Sequence, residues 1–281
     1  MSNLTSTQLK HFLEHGFVVV PALFCESEVA FYREHYTQKR LERAYPGDDA
    51  GVDSASDDPL KKFPRMIHMH HWDDHSMNYL LEPRIREILA AFVGTDPYAV
   101  QTMLYFKPAG ARGQALHQDN FYLRVQPGTC LAAWTALDDC DEENGCMQMV
   151  PGSHDWPILC PVKADTSASF TDVTVPLPEG TPIEPIRMKA GDTLFFNGSI
   201  VHGSFPNTSN DRFRRSLIAH YVQGDAEQIG QWYNPVMRMD GSILELEQSP
   251  GATKCGEWVE TEGHPEIAVT STYNLEANVH D

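Results

Sequence analysis

From residue 98 onward the chain is cut into short apolar runs by Gly, Pro, Asn and Asp breaks, at 99–106, 114–124, 130–137, 147–150, 193–196, 199–201 and 216–222. Runs of this length, rich in β-branched and aromatic residues and closed by turn formers, read as strands, and their tight spacing favours antiparallel pairing. Many short antiparallel strands hide their edges in a double sheet, so the sequence predicts a mainly β protein with helices packed outside the core. The helical signals come first. Apolar positions 9, 12 and 13 precede Gly16, the β-branched run Phe17-Val18-Val19-Val20 follows, and helices are predicted over 26–42 and 84–93. The segment 45–64, rich in Asp, Gly, Ser and Pro, reads as a loop. All 281 residues are read as one domain, motif-bearing over about 5–222, with a polar, irregular extension over 223–281 that packs on the core or covers the site.

Charge narrows the partners. With 21 Lys+Arg against 39 Asp+Glu the net charge is −18, and no basic block interrupts the acidity. A groove that tracks nucleic-acid phosphates and a polybasic membrane patch are both disfavoured, which leaves a small molecule as the expected partner. No stretch reaches the roughly 18 apolar residues of a membrane helix, and Met1 to Lys10 lacks the apolar core of a secretion signal. The expected location is cytoplasmic. Six irregularly spaced cysteines without a CxxC pair read as mostly reduced thiols. Oligomeric state is not legible.

The sharpest chemical feature is His117-Gln118-Asp119. Side chains alternate along a strand, so His117 and Asp119 share a face and Gln118 opposes them. Two such ligands can take adjacent positions on one metal. The third candidate is His202, 83 residues downstream, where a strand introduced by the Gly191-Asp192 turn ends. Two histidines and a carboxylate on one face of an octahedral ion leave three positions open, the arrangement that suits non-haem Fe(II) oxygen chemistry. A 2-oxo acid chelating two of them needs a fixed cation for its far carboxylate, and arginine supplies parallel N–H donors with a permanent charge. Arg214, Ser216, Ile218 and His220 alternate onto one face of the last strand, which makes Arg214 the anchor; Arg212 has the same parity and is the rival, while Arg215 faces away.

Read together, these residues resemble the phytanoyl-CoA dioxygenase family of Fe(II)/2-oxoglutarate oxygenases. The likeness runs through the 9–20 helix and strand, Met103-Leu104-Tyr105-Phe106-Lys107-Pro108, His117-Gln118-Asp119, Trp134, Asn144-Gly145-Cys146 to Gly152-Ser153-His154, Ala190-Gly191-Asp192, His202-Gly203-Ser204 and Phe213-Arg214-Arg215. The resemblance implies a double-stranded β-helix (jelly-roll, cupin-like) core with Fe(II) on His117, Asp119 and His202. It implies 2-oxoglutarate contacts at Met103, Trp134, Ser204 and Arg214, with Gln101 and Tyr105 as further candidates on the face of Met103. O2 is the implied second co-substrate, and succinate and CO2 are the implied co-products. Asp119 stands where halogenating relatives carry a small residue, so hydroxylation, or a related desaturation or cyclisation, is the implied outcome. The expected substrate is a small amino-acid-like or secondary-metabolite intermediate. The alternatives are an acyl-CoA hydroxylase of the same family, a non-catalytic jelly-roll binding protein, and a zinc hydrolase or isomerase on the same ligands.

Three further clusters carry plainer readings. Asp138 to Gly145 lacks the sixth-position glycine and twelfth-position glutamate of a calcium loop and reads as a solvated turn. His68 to His75 is the densest histidine run; a zinc site is weighed there against rings that meet substrate or water at the site mouth, and the second reading is favoured. Arg65, just before it, is a candidate for holding the co-substrate or an anionic substrate group, or equally a surface ion pair.

Overall fold

The structure is a computed structural model that describes residues 4–42, 45, 46, 48 and 51–274; of the predicted 45–64 loop, residues 47, 49 and 50 lie outside the described set, as do 275–281 of the tail. Among the described residues, one sheet runs in the order Phe17–Val20, Thr193–Asn197, Cys130–Ala136, Arg214–Val222, Tyr98–Lys107, Val236–Arg238 and Ile243–Leu244, with Met66–Ile67 also paired to Tyr98–Lys107. A second sheet holds Gln114–His117, His202–Ser204, Met147–Met149 and Glu184–Ile186. Pairing within both is antiparallel. The two sheets face each other as a double-stranded β-helix, with helices outside the larger one, which is the mainly β architecture that the turn spacing predicts.

Side-chain parity explains why its central strands read as unbroken apolar runs. On Arg214–Val222, Leu217, Ala219 and Tyr221 pack into a core shared with the helices, while Ile218 packs between the sheets. On Cys130–Ala136, Leu131 and Ala133 face the helices and Ala132, Trp134 and Ala136 face inward. Both faces are buried, so polar alternation has no place to appear; each large apolar side chain taken out of water contributes about 1.5–3 kcal/mol.

The helices obey local rules. Thr5 caps Ser6–His15 through a reciprocal capping box with Gln8, and Gly16 ends it at φ 83°, a left-handed conformation that costs glycine nothing. Pro83–Val93 buries Ile85, Ile88, Leu89 and Phe92, one helical stripe, and Phe92 stacks on Phe12 at 3.7 Å. Arg84 ties this helix to Glu26–Leu41: its guanidinium lies 2.6 Å from Glu28 and 2.8 Å from Glu82, above the Phe24 ring.

Four expectations are corrected. The predicted 114–124 strand stops at His117, and Asn120–Leu123 is a helical turn. Its amides bond back along the chain and to Gly198 because Phe121 and Leu123 bury there on one side. The predicted 199–201 strand is a turn, so His202 opens a strand of the second sheet rather than closing one of the first. The tail is not irregular: Ala252–Thr261 pairs with His264–Asn274 over a long hairpin, and Val236–Arg238 joins the large sheet. Finally, Cys160 and Cys255 form a disulfide across 95 residues, while Cys25, Cys130, Cys140 and Cys146 are free. Backbone bonds of Cys160 and Ile158 to Gly256 place the pair side by side, a register that cysteine spacing cannot reveal. The cysteines therefore do not argue by themselves for a reducing compartment. Among the described residues no helix is long and apolar enough to cross a membrane.

Candidate active site

His117 and His202 are direct partners across the antiparallel pairing of Gln114–His117 with His202–Ser204. Opposed residues of such a pair project to the same side, and the two rings stand 4.2 Å apart between centroids. Each ring is turned by its own chain: His117 Nδ1 lies 2.9 Å from Ala115 O and His202 Nδ1 lies 3.0 Å from Ile200 O. Donating the Nδ1 proton to a carbonyl leaves the ring's lone pair on Nε2, which is how a histidine is prepared for a metal; on His117 that lone pair accepts from Gln114 Nε2 at 3.1 Å, a contact that a bound ion would replace. Both Nε2 atoms converge on Asp119 Oδ1, at 3.4 Å and 3.7 Å. Ligands held about 2.0–2.2 Å from one ion stand about 3 Å apart when adjacent; the three donor atoms here lie within 4.8 Å of one another, so they fit one ion. Strand alternation is not what brings Asp119 in. It has helical dihedrals (φ −61°, ψ −35°) and starts the Asn120–Leu123 turn. Gln118 does point away, and its amide fixes that turn by bonding Ser199 O at 2.7 Å and Leu159 N at 2.8 Å.

A second layer holds the carboxylate. His220 Nε2 lies 3.1 Å from Asp119 Oδ2, and His220 Nδ1 lies 3.1 Å from Gln101 Nε2. The amide of Gln101 donates to Nδ1, which puts the ring proton on Nε2, pointing at Asp119. Burial alone would raise the Asp119 carboxyl, but His202, His117 and His220 outweigh it and hold the group well below the usual carboxylate range. Burial, with His117 adding, lowers His202 to about 4, so Asp119 and His202 are both deprotonated at neutral pH, as a metal requires.

The same cavity is lined by Trp134, Ser204 and Arg214, and by Gln101, Met103 and Tyr105. Arg214 is 2% exposed, lies over the Trp134 ring, and bonds Gly145 O at 3.1 Å and Ser216 Oγ at 2.8 Å. No carboxylate pairs with it among the described residues. A buried guanidinium held only by neutral groups is costly, and a bound dicarboxylate would supply the missing charge. Lys107, the cross-strand partner of Arg214, is a functional candidate that sequence reasoning missed. It is 2% exposed, and its Nζ lies 2.8 Å from Ser204 Oγ and 2.5 Å from Phe205 O. Burial, then the neighbouring Arg214, drives its ammonium well below the ordinary lysine range. Its parity with Gln101, Met103 and Tyr105 was the available signal.

The rival arginines go elsewhere. Arg212 pairs with Asp141 at 2.8 Å and Glu143 at 3.1 Å, and Arg215 with Asp138 at 2.8 Å. With Lys189 on Asp139 and Arg187 on Glu142, basic side chains engage the acids of the 138–145 turn. Asn144 pins that turn to Asp139 O and Phe213 O. Gly145 sits at φ 87°, and a Cβ there would meet Lys107 Cδ at 2.6 Å and Phe205 O at 2.7 Å. The cavity measures about 610 Å³. Its mouth carries Arg65, His68, His71, Tyr122, Phe170, Trp232 and Tyr233. Trp232 is 78% exposed, and the last two aromatics come from the tail, where no sequence period marks them.

The comparisons agree with this geometry. A family model described as phytanoyl-CoA dioxygenase (PhyH) matches residues 12–216. The peroxisomal phytanoyl-CoA dioxygenase of Rattus norvegicus is 26% identical over 239 residues, 80% of this chain and 70% of that protein. The phytanoyl-CoA dioxygenase of Arabidopsis thaliana is 24% identical over 257 residues, 79% of this chain and 90% of that one. Among solved structures, the epimerase SnoN in complex with Fe3+, alpha-ketoglutarate and nogalamycin RO is 25% identical with a TM-score of 0.61, covering 79% of this chain and 84% of SnoN. EctD from S. alaskensis, at 19% identity, shares the fold with a TM-score of 0.66 over 89% of each chain.

Proposed function

The chain belongs to the phytanoyl-CoA dioxygenase family and is a non-haem Fe(II)/2-oxoglutarate-dependent oxygenase, and we propose that it hydroxylates, or otherwise oxidises at an unactivated C–H, a small amino-acid-like or secondary-metabolite substrate. One observation carries the reading: a buried arginine with no carboxylate partner among the described residues and a His/His/Asp triad open into one cavity. When bound, iron with 2-oxoglutarate and O2 supplies an oxidant able to take hydrogen from such a carbon, with succinate and CO2 as co-products.

The protein's own part is positioning. His117 Nε2, Asp119 and His202 Nε2 would hold Fe(II) and leave three positions for 2-oxoglutarate and O2. Arg214 and Ser204 would hold the distal carboxylate, with Lys107 donating to the Ser204 hydroxyl so that its oxygen stays fixed. Trp134 backs the Arg214 guanidinium, and Met103 and Tyr105 wall the chamber. Gln101 acts through His220 on the orientation of Asp119. Because Asp119 occupies the position, a halide has no place there, which favours hydroxylation over halogenation.

A chamber of about 610 Å³ shared with a co-substrate takes one further small molecule. Arg65, whose guanidinium lies 3.4 Å from the Tyr105 hydroxyl, offers the mouth a cation for a carboxylate of that molecule. Acyl-CoA esters, suggested by the names of the relatives, are the second class to test; their phosphates would approach a chain of net charge −18. Succinate release should be screened against amino-acid-like, secondary-metabolite and acyl-CoA panels. Stimulation by a small amino or carboxylic metabolite is the expected result, and stimulation by acyl-CoA esters alone would overturn the substrate class.

A further inference from the structure

His68, His70 and His71 face one another on a short turn to which the oxygenase reading gives no common task. The Met66–Ile67 strand, paired to Tyr98–Lys107, runs into a single turn at Met69–His71, with His68 before it in left-handed conformation (φ 54°, ψ 31°). That conformation is uncommon for a residue with a Cβ, and here it folds the chain so that three rings meet. Centroids stand 4.2 Å apart for His70 and His71, 5.4 Å for His68 and His71, and 5.9 Å for His68 and His70. One ring nitrogen from each lies within 4.8 Å of those of the other two, the spread that the iron triad also satisfies. The remaining histidine of the run is elsewhere: His75 packs on Phe31 at 4.7 Å and His35 at 4.8 Å.

The nitrogens are prepared for an electrophile. His70 Nδ1 lies 3.1 Å from Thr102 Oγ1, which leaves Nε2 as its free nitrogen. His68 Nδ1 is buried and has no hydrogen-bond partner among the described residues. A buried polar atom in that state points to a partner from outside the chain. Neutral imidazole is the form that binds zinc, copper, nickel and iron. Among the described residues no carboxylate belongs to the cluster.

We propose that His68, His70 and His71 bind a second divalent transition-metal ion, of the zinc type, separate from the iron triad. Three histidines leave a fourth tetrahedral position open. His68 and His71 line the same cavity as His117, Asp119 and His202, so that position faces the substrate chamber, where it would take water or an oxygen donor of the substrate.

The test needs neither turnover nor a known substrate. Tag-free chain, stripped by a chelator, is dialysed against Zn2+ and the bound metal is counted. Two equivalents are expected for the native chain, and one tight equivalent after Asp119→Ala. His71 is exposed, so His71→Ala should fold, confirmed by circular dichroism, and should also retain one; His68→Gln serves as the second variant. With Co2+, intense visible bands of a four-coordinate ion should persist in Asp119→Ala and vanish in His71→Ala. A single equivalent in the native chain, or two equivalents surviving in both folded histidine variants, would overturn the proposal.

Discussion

Asp119 is the residue on which the iron site turns, because its two oxygens divide the work: Oδ1 meets both histidine ligands and Oδ2 meets His220. Asp119→Ala should therefore bring 2-oxoglutarate-dependent succinate release to background while leaving the circular dichroism spectrum and melting curve close to native; full retained activity would remove the triad. His220→Ala removes the carboxylate's support and the ring that Gln101 holds, but no iron ligand, so iron affinity or activity should fall about 10- to 100-fold. Arg214→Ala should raise the 2-oxoglutarate requirement roughly 10- to 100-fold, the cost of losing charge-assisted hydrogen bonds of about 1.5–3 kcal/mol. Arg212→Ala, which breaks surface pairs with Asp141 and Glu143, should leave that requirement unchanged. If the two arginine variants change places in this assay, the parity argument fails.

At the scale of the elements, two of the helices that back the large sheet share one electrostatic clasp. Arg84 holds Glu28 and draws its carboxyl down to about 2, mainly through their hydrogen bond. A carboxyl depressed in the folded state stabilises the fold above its unfolded value near 4.5 and loses that contribution as pH falls through about 2. Arg84→Ala should lower the melting temperature at pH 7 and shrink the acid-side loss between pH 4.5 and 2; an unchanged acid limb would mean that the clasp contributes nothing. The helices themselves were legible because their signals are local: apolar positions at helical spacing and a closing glycine. The iron ligands were legible for a different reason from the one alternation supplies. His117 and His202 meet by cross-strand register, and Asp119 joins them from a helical turn. Residue types and their order survive such a difference in local conformation; strand bounds do not. Lys107 was hidden because a buried lysine looks like any strand-end lysine until its neighbours are known, and Trp232 and Tyr233 were hidden because a short turn carries no period.

Across the whole molecule, the tail is fastened to the part of the core that carries Asp119. Tyr273 of the hairpin packs on Phe121 at 5.3 Å, Trp258 packs on Trp156 at 5.2 Å, and Cys255 is joined to Cys160. Closing a loop of 95 residues restricts the unfolded chain, and a bond of this type contributes about 2–4 kcal/mol. Cys160→Ser should therefore lower the melting temperature by several degrees under non-reducing conditions; an unchanged melt would show that the hairpin adds no stability through the bond. The cavity wall remains complete without the disulfide, so Fe(II) binding should persist in that variant. The account as a whole rests on one ferrous ion and one 2-oxo acid meeting on His117, Asp119 and His202 beside Arg214. The direct measurement is an anaerobic titration of the metal-free chain with Fe(II) and then 2-oxoglutarate, followed by visible absorption. A weak charge-transfer band that saturates at one equivalent and is absent in Asp119→Ala is the predicted result; intact, folded protein that yields no such band would contradict it.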